Sequence, residues 1–207
     1  MNNYFFTELG HRQDLIQLIP EIKDLYLMIN CSGPDFLTSI EYRTYDTGFV
    51  IFNLSCIPEQ RYPRIHQFYE TELGSYMSRS AFFTETDTRN SETKHQIEIH
   101  NHIKPTVINF PLINCNKDSQ VHFYNRSSLK NIQVSSTGIE YPDLSYDYVP
   151  EISHSSSDGI PILLNAKEFH SVSNNGIAKR ITFGWHLNLE VDYTMAVALT
   201  SKEARRS

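Results

Sequence analysis

The chain has 207 residues, 40% of them hydrophobic and 20% charged, with a formal charge of −6; this is the composition of an ordinary globular protein with room for one sizeable core. No basic run stands out and no apolar run approaches the ~20 residues that cross a bilayer, so neither a nucleic-acid nor a membrane partner is expected. Cys31, Cys56 and Cys115 are widely spaced and form no Cys-x-x-Cys pair, which excludes a disulfide framework or a thiolate zinc site; with no signal peptide visible in Met1-Asn2-Asn3-Tyr4-Phe5-Phe6, a cytoplasmic, intracellular setting is expected.

In chain order, apolar positions at Leu15, Ile16, Leu18, Ile19, Ile22, Leu25 and Tyr26 predict an amphipathic helix over 11–28, disturbed by Pro20. Ser32-Gly33-Pro34-Asp35 predicts a turn. Strands are expected over 36–45 and 48–55, around Asp46-Thr47-Gly48. A second helix is expected over 61–73, with Ile65, Phe68, Tyr69 and Leu73 on one face and Gly74 ending it. After Ser80 the pattern changes to short strands: 80–86, 95–103, 106–113, 119–125, 132–136, 146–150, 160–165, 168–174, 178–189 and 191–198. Turns rich in Asn, Asp, Ser, Gly and Pro separate them, which argues for a mostly β sandwich or barrel with flanking helices. The expected plan is one domain over 1–207: a mixed support over 1–79, a β core over 80–198 and a solvated tail over 199–207. The polar stretch Ser153-His154-Ser155-Ser156-Ser157-Asp158-Gly159 reads as a mobile loop, or as a lid over a site.

Alternation along 95–103 puts Glu98, His100 and His102 on one strand face, and Ile97, Ile99 and Asn101 on the other. Histidines at i and i+2 can point at one metal ion; the plainer alternative is the solvent side of an edge strand. His170 lies in a mostly apolar strand, as a hydrogen-bonded core residue or as a ligand. Arg180 offers the planar fork that grips a carboxylate with two hydrogen bonds, or it forms a salt bridge. A three-residue loop at Asn174-Asn175-Gly176 would set 170 opposite 180 on one face, and a two-residue Asn175-Gly176 hairpin would separate them. A turn crossing between two sheets frees the constraint. The sequence leaves these open. Thr182, Gly184 and His186 follow on the face of Arg180. Thr182 can hold the same carboxylate, Gly184 would leave room for a ligand or mark a bulge, and Trp185 would point the other way, into packing.

The segments His100-Asn101-His102, Ile108-Asn109-Phe110-Pro111-Leu112-Ile113-Asn114-Cys115, His170-Ser171-Val172-Ser173-Asn174 and Arg180-Ile181-Thr182 resemble the 2-oxoglutarate- and iron(II)-dependent dioxygenases. The likeness is to the branch with aspartyl/asparaginyl hydroxylase-like and phage or marine-microbe oxygenases, and it covers roughly residues 80–190. It implies a double-stranded β-helix, the cupin-like jelly roll. It also implies Fe(II) as cofactor, 2-oxoglutarate as co-substrate, and hydroxylation of an amino-acid side chain, peptide or small metabolite. Carried over, His100 becomes the first metal ligand, His170 the distal one, and Arg180 with Thr182 the grip on the far carboxylate of 2-oxoglutarate. Asn109 and Tyr124 fall near the co-substrate. The family's metal set is two histidines and one carboxylate, and this chain has His102 where the carboxylate belongs. His102 then acts as a third neutral ligand, or water completes the shell. Otherwise the site is degenerate, in a non-catalytic jelly-roll binding or structural protein. Glu98 shares the face but lies ~6.6 Å earlier along the strand.

Overall fold

The computed structural model describes residues 4–31, 42–45, 49–86, 97–176 and 178–201. The expected turn at 32–35, the strand positions 36–41, the turn 46–48, the strand positions 95 and 96 and the basic tail from 202 lie outside the described residues.

Two antiparallel sheets form the body. The seven-stranded sheet runs β1 (Phe6–Glu8), β11 (Ile162–Asn165), β6 (Thr106–Ile113), β13 (Arg180–Leu187), β4 (Met77–Thr86), β3 (Phe49–Asn53), β2 (Tyr42–Tyr45). The four-stranded sheet runs β10 (Ile152–Ser155), β7 (Ser119–Tyr124), β12 (Phe169–Asn174), β5 (Ile97–His100). A small ribbon pairs β8 (Gln133–Val134) with β9 (Glu140–Tyr141). From β4 the chain winds outward as β4, β5, β6, β7 and returns as β10, β11, β12, β13. The returning strands insert between the outgoing ones: β13 between β4 and β6, and β12 between β5 and β7. This interleaving is the double-stranded β-helix, a jelly roll.

The main core lies on the outer face of the large sheet. There α2 (Ile19–Cys31) brings Ile22 and Leu25, and α3 (Pro63–Phe68) brings Ile65 and Phe68, against Phe52, Phe83, Phe110, Phe183 and Trp185. Trp185 is fully buried as expected, its Nε1–H donating to Ser78 O at 2.8 Å and its ring 5.5 Å from Phe68. Each such side chain contributes roughly 1.5–3 kcal/mol by leaving water. The expected single helix over 11–28 is two: α1 (Gln13–Ile16) ends before α2 begins, and Pro20 sits in the first turn of α2, where a missing N–H breaks no helical bond. Between the sheets lies a smaller apolar cluster of Val121, Phe123, Ile162, Leu164 and Val172.

Three further expectations about elements are corrected. Residues 191–198 do not form a strand: α4 (Tyr193–Ser201) is helical, and Asp192 Oδ1 accepts from Met195 N at 2.8 Å as its cap. Tyr, Thr and Val favour strands locally, but the cap and the burial of Tyr193, Ala196 and Leu199 in the main core outweigh that preference. Residues 146–150 form no strand. The stretch read as a mobile loop begins as β10, an edge strand on β7.

Candidate metal and carboxylate site

The site occupies the polar end of the space between the sheets. His100, at the end of β5, is the direct cross-strand partner of His170 on β12, so both imidazoles stand on one face of the small sheet. His102 follows two residues later, beyond the end of the strand. The ring centroids of the three lie 4.7–5.0 Å apart. Their ligand-capable atoms fall within 4.8 Å of one another. Three imidazoles this close can hold one metal ion.

The stop after His100 has a local cause. Asn101, on the opposite face, exchanges hydrogen bonds with β9: its amide Nδ2 donates to Glu140 Oε2 at 2.6 Å, and Glu140 N donates to its Oδ1 at 3.0 Å. Arg126 grips the same Glu140 carboxylate with two bonds of 2.6 and 2.8 Å. The chain then turns inward, with His102 N donating to Ala166 O at 2.8 Å. The histidine pair is therefore clamped from behind.

Electrostatics favours neutral rings. Burial holds His170 down to about 3, with the nearby His100 adding to the effect. His102 is held well below the usual imidazole range by burial first, and then by His170, His100 and His186. His170 Nδ1 meets the Glu168 carbonyl at 2.9 Å. A carbonyl only accepts, so Nδ1 carries the proton and Nε2 keeps its lone pair for a ligand.

Arg180 opens β13 on the facing sheet. It is 1% exposed, and its Nε and Nη2 have no hydrogen-bond partner among the described residues. Burial lowers its pKa from the ordinary value, while Cys115 and Asp158 nearby act in the other direction; an arginine remains cationic under such shifts. A cavity of about 50 Å³ joins this guanidinium to the triad. Its polar lining is Arg180 and Thr182 from β13, Thr84 from β4, Asn109 from β6 and the three histidines; Phe82, Val107, Val121, Leu164, Ala166 and Val172 close it.

The structure thus brings His100, His102, His170, Arg180, Thr182 and Asn109 to one cavity. The turn after β12 crosses between the sheets, the third of the geometries left open. Asn174 holds it, its Nδ2 donating to Thr86 O and Ala178 O, each at 3.0 Å. Tyr124 is not in the cavity. Opposite Phe169, it lies on the other face of the small sheet, with its hydroxyl 2.9 Å from Ser171 Oγ and its ring in a cluster with Ile99, Leu129 and Phe169. Gly184 leaves no room for a ligand: a Cβ there would stand 2.1 Å from Phe82 Cζ, so the Phe82 ring fills that space. The side chain of Glu98 lies outside the described residues.

Sequence reasoning missed Phe82, Thr84 and Thr86, which face Gly184, Thr182 and Arg180 across β4 and β13. The buried Thr86 hydroxyl also lacks a partner among the described residues. Their alternation was visible in Phe82-Phe83-Thr84-Glu85-Thr86, but no local signal tells that β4 pairs with β13.

No family model matches the chain, and no curated protein matches it. Solved structures share its general form. The Escherichia coli protein ycfD is 9% identical, with a TM-score of 0.37, over 70% of this chain and 37% of that one. An oxidoreductase of the 2OG-Fe(II) oxygenase family from Burkholderia pseudomallei is 8% identical, with a TM-score of 0.40, over 81% of this chain and 76% of that one. The epimerase SnoN, in complex with Fe3+, alpha ketoglutarate and nogalamycin RO, is 7% identical, with a TM-score of 0.45, over 98% of this chain and 86% of that one. The chain spans little more than a third of the length of ycfD. Its jelly-roll assignment stands on its own strand order. No helix among the described residues is long and apolar enough to cross a membrane.

Proposed function

We propose that this protein is a non-haem Fe(II)- and 2-oxoglutarate-dependent oxygenase that hydroxylates an amino-acid side chain, a peptide or a small metabolite. The observation that carries the reading is a buried guanidinium, two of its nitrogens unpaired among the described residues, in the same small cavity as three clustered imidazoles. A buried cation with donors left over is expensive unless something pairs with them. A carboxylate is the planar partner its fork fits. Neutral imidazoles suit iron among other transition metals. A molecule with a carboxylate at one end and a metal-chelating group at the other meets both demands, and 2-oxoglutarate has that form.

In this reading His100, His102 and His170 hold the metal, which when bound supplies the electron-transfer chemistry that dioxygen activation requires. Arg180 binds the far carboxylate through its fork, with Thr182 donating its hydroxyl and Asn109 beside it. Phe82, Val107, Val121 and Val172 keep bulk water away. The clamp on Asn101 sets the spacing of the first two imidazoles.

One feature favours a second reading, a jelly-roll protein that binds an organic acid without turnover: the candidate metal cluster among the described residues contains no carboxylate. Three neutral donors leave more positive charge on the metal than the family's usual set. The deciding experiment is anaerobic calorimetry of metal-stripped protein with Mn(II), then 2-oxoglutarate, followed by 2-oxoglutarate consumption with Fe(II) in air. The oxygenase reading expects metal binding that His170→Ala removes, metal-dependent 2-oxoglutarate binding, and turnover. Binding without turnover selects the second reading. Absence of metal binding in the wild type overturns the proposal.

A further inference from the structure

His102 is where this chain departs from a two-imidazole, one-carboxylate set, and its ring is met at both nitrogens. Nε2 lies 3.1 Å from His100 Nε2, inside the triad. Nδ1 lies 3.2 Å from Nε2 of a fourth histidine, His186. His186 comes from the other sheet, on β13, with Val107 as its partner on β6. Phe82 packs beside both rings, 6.4 Å from His102 and 5.1 Å from His186.

A neutral imidazole has one N–H and one lone pair. A metal at the triad takes the lone pair of His102 Nε2. The proton must then sit on Nδ1 and needs an acceptor, and His186 Nε2 is the atom waiting there. Metal-bound histidines generally have such an outer partner, usually a carboxylate or a backbone carbonyl. We infer that His186 is a positioning residue that makes His102 a metal donor: its Nε2 accepts a hydrogen bond from His102 Nδ1–H and so fixes the tautomer that leaves Nε2 free. The inference rests on the metal-binding reading above and names what supports the unusual third ligand.

The test compares metal-stripped wild type, His186→Ala, His186→Gln, His102→Ala and the His102→Ala/His186→Ala double variant. Each is titrated anaerobically with Co(II), and the imidazole protons are read by nitrogen-15 NMR in the Zn(II)-loaded protein. His186→Ala is expected to weaken Co(II) binding by about 10–100-fold. His186→Gln, which supplies a carbonyl acceptor, is expected to recover most of the loss. In the His102→Ala background the second substitution is expected to change nothing further, because the residue it positions is gone. The Zn(II)-loaded wild type is expected to carry the His102 proton on Nδ1. Equal losses in both backgrounds indicate a packing role and overturn the inference, as does wild-type affinity in both His186 variants. A His102 proton on Nε2 overturns it even if His186→Ala does not fold. A wild type that binds no metal overturns the metal reading and this inference together; one that binds metal indifferently to His186 overturns this inference alone.

Discussion

Arg180 concentrates the functional argument in one side chain. A guanidinium that is 1% exposed, with Nε and Nη2 unpaired among the described residues, is a liability to the fold. Replacing it with a flexible apolar residue of similar length removes that liability. Arg180→Met is therefore expected to stabilise the ligand-free protein by about 1 kcal/mol or more in urea denaturation, while abolishing 2-oxoglutarate binding. Arg180→Lys is expected to weaken binding without abolishing it, since a point charge lacks the fork. A less stable Arg180→Met that still binds 2-oxoglutarate would contradict the assignment. At this scale much of the candidate site was legible. The i, i+2 parity of His100 and His102 and the spacing of His170 from Arg180 were local properties of the sequence. Tyr124 was placed near the co-substrate by the resemblance alone; alternation along β7 sets it with the half-exposed Gln120 and His122, away from Val121 and Phe123 on the inner face.

Single elements gain their meaning from the elements beside them. Gly184 belongs to β13, yet its role is set by Phe82 on β4, whose ring lies where a Cβ would go. Gly184→Ala must displace that ring, and overpacking of this kind costs about 1–3 kcal/mol. The double variant Phe82→Ala/Gly184→Ala is expected to lose less stability than the two single variants combined, read by chemical denaturation; strict additivity would mean that the ring and the glycine do not meet. Asn101 makes the same point for β5. It reads as a polar interruption in an apolar face, but its amide is paired with Glu140, which Arg126 holds in turn. Asn101→Ala leaves the Glu140 N–H without its side-chain acceptor. The expected loss is about 1–3 kcal/mol, seen as a lower melting temperature, with weaker metal binding because His100 and His102 lose their backing. The sequence could not show this clamp, since Glu140 is distant in the chain and β9 is only two residues long. Nor could it show α4, where strand-favouring residues fold as a helix once Asp192 caps them.

Across the molecule, the main core and the candidate site are divided between the two faces of the large sheet. The outer face, with the helices, holds the main apolar core, while the space between the sheets holds a smaller apolar cluster around Phe123 and Leu164 and a cavity where the histidines, Arg180 and Thr182 meet apolar walls. The change from helical to alternating pattern near Ser80 foretold the helix-backed sheet. The interleaved strand order was not legible, because short strands of similar composition can pair in many orders and only the long-range contacts choose among them. This division implies that ligands stabilise the fold through the inner space. On the proposed reading, metal and 2-oxoglutarate bind the folded chain and not the unfolded one, so a ligand at 100 times its dissociation constant adds about 2.7 kcal/mol. For a chain of this size that raises the melting temperature by about 5–10 °C. Mn(II) alone is expected to give one increment, and 2-oxoglutarate added to the Mn(II) form a second. Arg180→Ala is expected to keep the first and lose the second, His170→Ala to lose both, and EDTA to reverse them in the wild type. A 2-oxoglutarate increment that survives both EDTA and Arg180→Ala would place the acid outside the inner space and separate the triad from the guanidinium.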